Sequence, residues 1–111
     1  QGPRRQYEII LYAIKGKKTT THIYPDVIST SADENMSHGA QKPVALYQNL
    51  LQRSVRAGDR VLDTFAGSGT IFEAAHGFKC TAVGVELNKE YYGMCLKRLQ
   101  ALKAIETPGE L

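Results

Sequence analysis

The chain reads as an α/β domain, half of a doubly wound parallel sheet, on three observations. The apolar run Arg60-Val61-Leu62 feeds Asp63-Thr64-Phe65-Ala66-Gly67-Ser68-Gly69-Thr70 and then a helical pattern, Ile71-Phe72-Glu73-Ala74-Ala75. A strand that enters a glycine-rich turn and then a helix presents backbone N–H groups at the helix N-terminus. A second apolar run, Thr81-Ala82-Val83-Gly84-Val85, ends in Glu86, 17 residues after Gly69. An acid about 20 residues past the glycines, at the tip of the adjacent strand, suits ribose hydroxyls. Finally, strand–helix–strand–helix order with apolar strands implies parallel pairing through a right-handed crossover.

The elements follow in order. Tyr7–Ile14 is β-rich and almost continuously apolar, which predicts a buried strand, closed by a turn at Lys15-Gly16-Lys17-Lys18. Residues 16–41 form a long polar loop in which only Val27-Ile28 suits a short strand. A loop of that length in a compact domain is functional or mobile. Pro43 fits the first turn of a helix, where its missing N–H costs nothing. Val44, Tyr47, Leu50, Leu51 and Val55 make that helix's apolar face, and Ala57-Gly58 ends it. The strand Val61–Phe65 follows, then the turn, then a helix to about His76 stopped by Gly77. Thr81–Glu86 is the next strand. Asn88 can cap the last helix, which carries Tyr92, Cys95, Leu99 and Leu102 on one face. Residues 1–111 make one domain, and 104–111 a frayed tail.

Composition narrows the classes. A chain of 111 residues, 42% of them apolar, can bury a small core. The net charge of +3 permits nucleic-acid contact without requiring it. No apolar run approaches the roughly 18 residues of a membrane helix, and the polar, Arg-rich start lacks the apolar region of a signal peptide. The expected setting is cytoplasmic. Cys80 and Cys95, the two cysteines, lack metal-pair spacing and read as reduced, buried thiols.

The glycine turn discriminates among cofactors. The dinucleotide fingerprint needs a third glycine for close helix–strand packing. Phe72 stands there, which disfavours NAD and FAD, and no phosphate-loop G-x-x-x-x-G-K-[ST] is present. Gly67 and Gly69 lack a Cβ, so a ligand can approach the main chain.

Asp63-x-Phe65-x-Gly67-Ser68-Gly69-Thr70 resembles motif I of the DNA amino-methyltransferases. His38-Gly39-Ala40-Gln41-Lys42-Pro43 resembles their motif X, and Val85-Glu86-Leu87-Asn88 with Tyr91-Tyr92 their motif II. The resemblance covers about residues 38–102, in the family's order and spacing; Tyr7–Lys15 is a weaker match to a strand before motif X. It implies a partial Rossmann-like S-adenosylmethionine-dependent methyltransferase fold, a parallel sheet flanked by helices.

S-adenosylmethionine asks for partners to an ammonium, a carboxylate, two ribose hydroxyls and an adenine. Glu86 suits the ribose; the alternative is a surface acid at a strand end. Asp63 either meets the ammonium or braces the turn. By resemblance Phe65 packs along the cofactor; a core phenylalanine is the competing reading. The backbone of Ala66, Gly67, Ser68 and Gly69, leading into Thr70, offers donors to the carboxylate. Resemblance adds Lys42 and His38, each of which also reads as an ordinary loop or helix-start residue. Leu87 and Asn88 are candidates beside the adenine.

The family acts through an Asp/Asn/Ser-Pro-Pro-Tyr/Phe/Trp element. Here Pro3, Pro25, Pro43 and Pro108 are never adjacent, and only 18 residues follow Gly93. The resemblance therefore implies the C-terminal, cofactor-binding part of a permuted, beta-class enzyme whose catalytic part precedes residue 1. Methyl transfer to adenine N6 or cytosine N4 in DNA is the activity expected of the parent, with the base flipped out. The chain alone is expected to be inactive. DNA is the expected partner, mainly through the missing part; Arg4, Arg5, Lys15, Lys17 and Lys18, with Tyr7 or His22, form either a phosphate track or a solvated basic turn. Without its missing neighbours the Val61 strand has an open apolar edge. Homodimerisation, completion by the rest of the parent, pairing of Tyr7–Ile14 with that edge, or marginal stability are the expected consequences. The competing functions are a non-catalytic methylase remnant that binds a partner, and a methyltransferase acting on RNA or a small molecule.

Overall fold

Two short apolar runs build the sheet. Strands β1 (Arg60–Asp63) and β2 (Thr81–Gly84) pair in parallel, with Arg60 opposite Thr81 and Asp63 opposite Gly84. Helices α1 (Val44–Gln52), α2 (Thr70–Gly77) and α3 (Lys89–Glu106) complete the order α1–β1–α2–β2–α3. The structure is a computed structural model and describes residues 7–17, 23–30 and 42–106. The α/β class and the parallel pairing are those expected.

Helix α2 is the centre of the packing, because it touches β2, α1 and α3. Its inner face, Thr70, Ile71, Ala74 and Ala75, is buried; with Ala66 and Cys95 it forms the core. Small side chains there bring the neighbouring elements close. Below it, the turn Arg56–Asp59 fastens the starts of both strands. The Asp59 carboxylate accepts from the Arg56 N–H at 2.9 Å, Gly58 N–H donates to the Lys79 carbonyl at 3.0 Å, and Thr81 N–H to the Asp59 carbonyl at 2.9 Å.

Several expectations are corrected. Tyr7–Ile14 is not a buried strand: it joins no sheet, and Leu11 is 91% exposed. Its composition favours extended backbone, but a strand exists only with a partner ladder, and among the described residues β1 pairs with β2 alone. The bend at 15–17 does form, with Gly16 at φ 78°. Val27-Ile28 is no strand either; this segment is held by Tyr24, whose ring lies 5.3 Å from the Arg53 guanidinium and whose hydroxyl donates to the Gln52 carbonyl. Most of the 16–41 loop lies outside the described residues.

Helix α1 ends at Gln52, before Ala57-Gly58, with Pro43 as its N-cap. The N–H groups of Arg53, Ser54 and Val55 close the last carbonyls of the helix, and Gly58 spends its left-handed φ of 90° in the next turn. Likewise the left-handed residue after α2 is Lys79, at φ 57°, not Gly77. The strands are shorter than expected and half-buried on one side only. Leu62 and Val83 alternate outward and stay exposed, because α2 covers the other side. Cys95 is buried as expected, whereas Cys80 is only half-buried. Helix α3 runs to Glu106, and its apolar face is incompletely covered, with Tyr92 and Leu99 exposed.

One glycine governs how closely helix and strand approach. A Cβ on Gly84 would lie 2.7 Å from Phe72 Cζ and 2.9 Å from Ala66 Cβ, whereas one on Gly77 meets nothing within 4 Å among the described residues. Gly84→Ala is therefore expected to lower stability by about 1–3 kcal/mol through overpacking. Gly77→Ala, at an unstrained φ, is expected to be neutral or to stabilise by about 0.5 kcal/mol. Urea denaturation of both variants beside the unsubstituted chain checks the pair.

Candidate functional site

The turn after β1 is held by its own backbone and by one acid. Asp63 Oδ1 accepts from the Phe65 N–H at 3.0 Å, so the turn-bracing reading of Asp63 is realised. The ladder continues past both strands: Val85 N–H donates to the Asp63 carbonyl and Ala66 N–H to the Val85 carbonyl, each at 2.9 Å. Gly69 N–H closes on the Ala66 carbonyl at 2.9 Å. The two glycines then serve different ends. Gly67 has φ 58° and a Cβ there would meet nothing within 4 Å among the described residues, so the space above it is open as far as they extend. Gly69 has φ 92°, and its Cβ would lie 3.2 Å from Cys95 Sγ and 3.3 Å from Cys95 Cα. Gly67 thus leaves room for an approaching ligand; Gly69 makes room for α3.

Glu86, at the tip of β2, reaches back to this turn. Its Oε1 accepts from the Gly67 N–H and its Oε2 from the Asn88 N–H, both at 2.8 Å. The acid therefore points at the glycine turn and ties it to the start of α3. Asn88 caps that helix as expected, its Oδ1 accepting from the N–H groups of Glu90 at 2.9 Å and Tyr91 at 3.1 Å. Phe65, early in the turn, and Leu87, next after Glu86, are 87% and 98% exposed. The core-phenylalanine reading of Phe65 is thereby corrected: the tight turn after Asp63 carries it out of the core.

Behind the turn, α3 grips two successive carbonyls. Cys95 Sγ donates to the Gly67 carbonyl at 3.0 Å. Arg98 Nε donates to the Ser68 carbonyl at 3.2 Å, and Arg98 Nη1 pairs with Glu73 on α2 at 3.2 Å. Burial raises the Cys95 thiol pKa, with Glu86 and Asp63 adding to the rise and Arg98 opposing it. Burial likewise raises the phenol of Tyr47 on α1, with the Asp63 charge adding, which puts Tyr47 in the field of the same turn. Ser68 is 4% exposed, and its Oγ has no hydrogen-bond partner among the described residues.

Lys42 meets the site through its backbone: Thr70 Oγ1 donates to the Lys42 carbonyl at 3.3 Å, while the ammonium pairs with Glu8. This ion pair links the exposed 7–17 segment to the start of α1. His38 lies outside the described residues, as do Arg4, Arg5, Lys18 and His22. Asp63, Phe65, Ala66, Gly67, Ser68, Gly69, Thr70, Glu86, Leu87 and Asn88 come together around one turn. Sequence reasoning missed Cys95 and Arg98 as supports of that turn, and Gly84 as its floor. The signal for the pair was their three-residue spacing, which sets both on one face of α3.

A parallel strand pair with a glycine turn and a strand-end acid defines an α/β nucleotide-binding class of site. Within that class, the profile of the N6_N4_Mtase family, DNA methylase, matches residues 1–97. The chain belongs to that DNA methylase family. It is 41% identical over 64 residues to type II methyltransferase M.HpaI of Haemophilus parainfluenzae, covering 58% of this chain and 20% of the relative. It is 43% identical over 67 residues to DNA adenine methyltransferase YhdJ of Escherichia coli (strain K12), covering 60% and 23%. Among solved structures, the M1.HpyAVI–SAM complex superposes with a TM-score of 0.60 at 28% identity, over 74% of this chain and 43% of that one. The chain thus spans about a fifth of the length of those two relatives. Among the described residues, no helix is long and apolar enough to cross a membrane.

Glu86→Gln replaces one acceptor oxygen by an amide that cannot accept, so one of the two backbone N–H groups loses its partner. The expected cost is about 1–2 kcal/mol. Hydrogen exchange read by NMR should speed up at the Gly67 or Asn88 amide and stay unchanged at Ala74 and Ala75.

Proposed function

We propose that this chain is the S-adenosylmethionine-binding part of a site-specific DNA methyltransferase that methylates an exocyclic amine, adenine N6 or cytosine N4. The observation that carries the proposal is the Glu86 carboxylate, hydrogen-bonded to the Gly67 N–H at 2.8 Å beside a position where a Cβ on Gly67 would meet nothing within 4 Å among the described residues. A carboxylate oxygen can accept more than one hydrogen bond, so Glu86 can hold its two N–H groups and still receive ribose hydroxyls. Asp63 braces the turn with one oxygen, and its other is assigned to the methionine ammonium. The backbone of Ala66–Gly69, at the N-terminus of α2, suits the carboxylate. Phe65 and Leu87 offer exposed apolar surface to the adenine, with Asn88 beside them. Lys42 and His38 are assigned to the methionine tail on the family pattern alone. The M1.HpyAVI structure, a complex with SAM, supports the cofactor. The buried Ser68 Oγ, without a partner among the described residues, also fits a turn whose polar groups await a polar ligand.

When bound, S-adenosylmethionine supplies the electrophilic methyl group. The residues of this chain contribute position: they hold the nucleoside and tail so that the methyl is presented in one orientation, and orientation carries much of the rate of a direct displacement. The acceptor clamp is assigned to a Pro-Pro element outside this chain, since none of its four prolines is adjacent to another. DNA binding, base flipping and base choice go with that part. The exposed Leu62, Val83 and Val85 on the open face of the sheet support completion by further elements, from the rest of a parent chain or from a second copy.

Calorimetry with S-adenosylmethionine tests the site. The unsubstituted chain should bind, and Glu86→Ala should weaken binding at least tenfold, a loss of about 1.4 kcal/mol or more. Gly67→Val, which forces a β-branched residue to φ 58° and fills the open space, should abolish it. Unchanged tight binding by both variants would sink this placement. The chain alone should transfer no labelled methyl to DNA; transfer would overturn the division of labour.

A further inference from the structure

The Gly67–Ser68 peptide has a choice of orientation that its own residues do not settle. Glycine imposes little preference on the flanking torsions, and a glycine at φ 58° sits where a flipped peptide plane is also accessible. The plane matters, because in a trans peptide the C=O and the next N–H point in opposite directions. No peptide among the described residues is cis. Holding the Gly67 carbonyl toward α3 therefore turns the Ser68 N–H away from α3.

The group that holds the Gly67 carbonyl is the Cys95 thiol, at 3.0 Å. Cys95 is 5% exposed, and its Sγ and Cα lie against the space a Cβ on Gly69 would need. Packing therefore seats it directly under the turn. Arg98, one helical turn on, fixes the following carbonyl of Ser68 and is itself pinned by Glu73. Successive carbonyls of the loop are thus tied down from one side by one helix face.

We infer that Cys95 is a positioning residue of the cofactor site: its thiol sets the orientation of the Gly67–Ser68 peptide so that the Ser68 N–H is presented to the anionic end of the ligand. The inference rests on the S-adenosylmethionine reading and deepens it. The methionine carboxylate is the one anionic group of that ligand, and an N–H at the start of α2 suits an anion. Arg98 supports the same geometry one peptide further along. Neither side chain touches the ligand.

The test compares two ligands on three forms of the full chain. S-adenosylmethionine carries the carboxylate; 5′-methylthioadenosine keeps the nucleoside and the sulfur but lacks the whole amino-acid end. Cys95→Ser keeps a donor at the site and Cys95→Ala removes it. Cys95→Ala should weaken S-adenosylmethionine about five- to tenfold, the worth of one hydrogen bond, and leave 5′-methylthioadenosine within twofold. Cys95→Ser should restore the first affinity to within about threefold. Equal losses for both ligands, or equal behaviour of Ser and Ala, would overturn the inference and reduce Cys95 to packing. Failure of the unsubstituted chain to bind either ligand would instead sink the cofactor reading, and this inference with it. A ligand-free readout stands apart from both. The Ser68 amide resonance should shift or broaden in Cys95→Ala and match the parent in Cys95→Ser; an unmoved resonance in both variants overturns the inference whatever the binding data.

Discussion

The ligand end depends on one carboxylate that joins two backbone segments just beyond their last ladder bond, from Ala66 N–H to the Val85 carbonyl. Parallel strands share no turn, so the loops at their ends are free to diverge. Glu86 removes that freedom by accepting from Gly67 on one loop and Asn88 on the other. Hydrogen bonds to an ionised acceptor are shorter and stronger than neutral ones, and both are 2.8 Å long. The same contact starts α3 in the right place, since Asn88 is also its cap. Helix α3 then returns Cys95 and Arg98 to the underside of the loop. The glycine turn is thus closed from the strand tip and from the helix, a circuit of contacts around its open face.

The remainder of the fold is less complete. Helix α2, with α1 packed on it, covers one side of a two-stranded sheet, and the other side shows Leu62, Val83 and Val85 to solvent. Contiguous exposed apolar surface of this kind marks an interaction face in soluble proteins. It lies on the same sheet as the Glu86 turn, so whatever covers it also stiffens the strands from which the turn hangs. Family membership and partial coverage of the relatives agree with that arrangement.

Much of the site was legible in the sequence because it is local. The run Asp63–Thr70 is contiguous, and the acid that completes it lies at a spacing set by one helix and one strand. Asn88 was legible for the same reason, as a capping side chain acts within three residues. Tyr7–Ile14 was not, because strand formation requires a neighbour that composition cannot supply. The glycines at 58 and 77 do not supply the helix stops expected of them: α1 closes earlier, through carbonyls that Arg53, Ser54 and Val55 satisfy, and α2 ends at Gly77 as expected but with Lys79, not Gly77, in the left-handed conformation. Cys95 read correctly as buried, yet its donor role toward Gly67 spans 28 residues. A contact of that range follows from the packing of α3 on α2, which no local pattern encodes.

Phe72 stands where the dinucleotide fingerprint would carry its third glycine, and the structure shows what replaces that glycine. The ring lies over Gly69 and against Gly84, whose missing side chain gives it room. The small residue has moved from the helix to the strand, while the sum of the two volumes stays compatible with close packing. Positions 72 and 84 therefore behave as a single steric unit. A library that varies either position alone will find it intolerant, whereas one that varies them together has a second solution open to it, with the bulk on the strand and the gap on the helix.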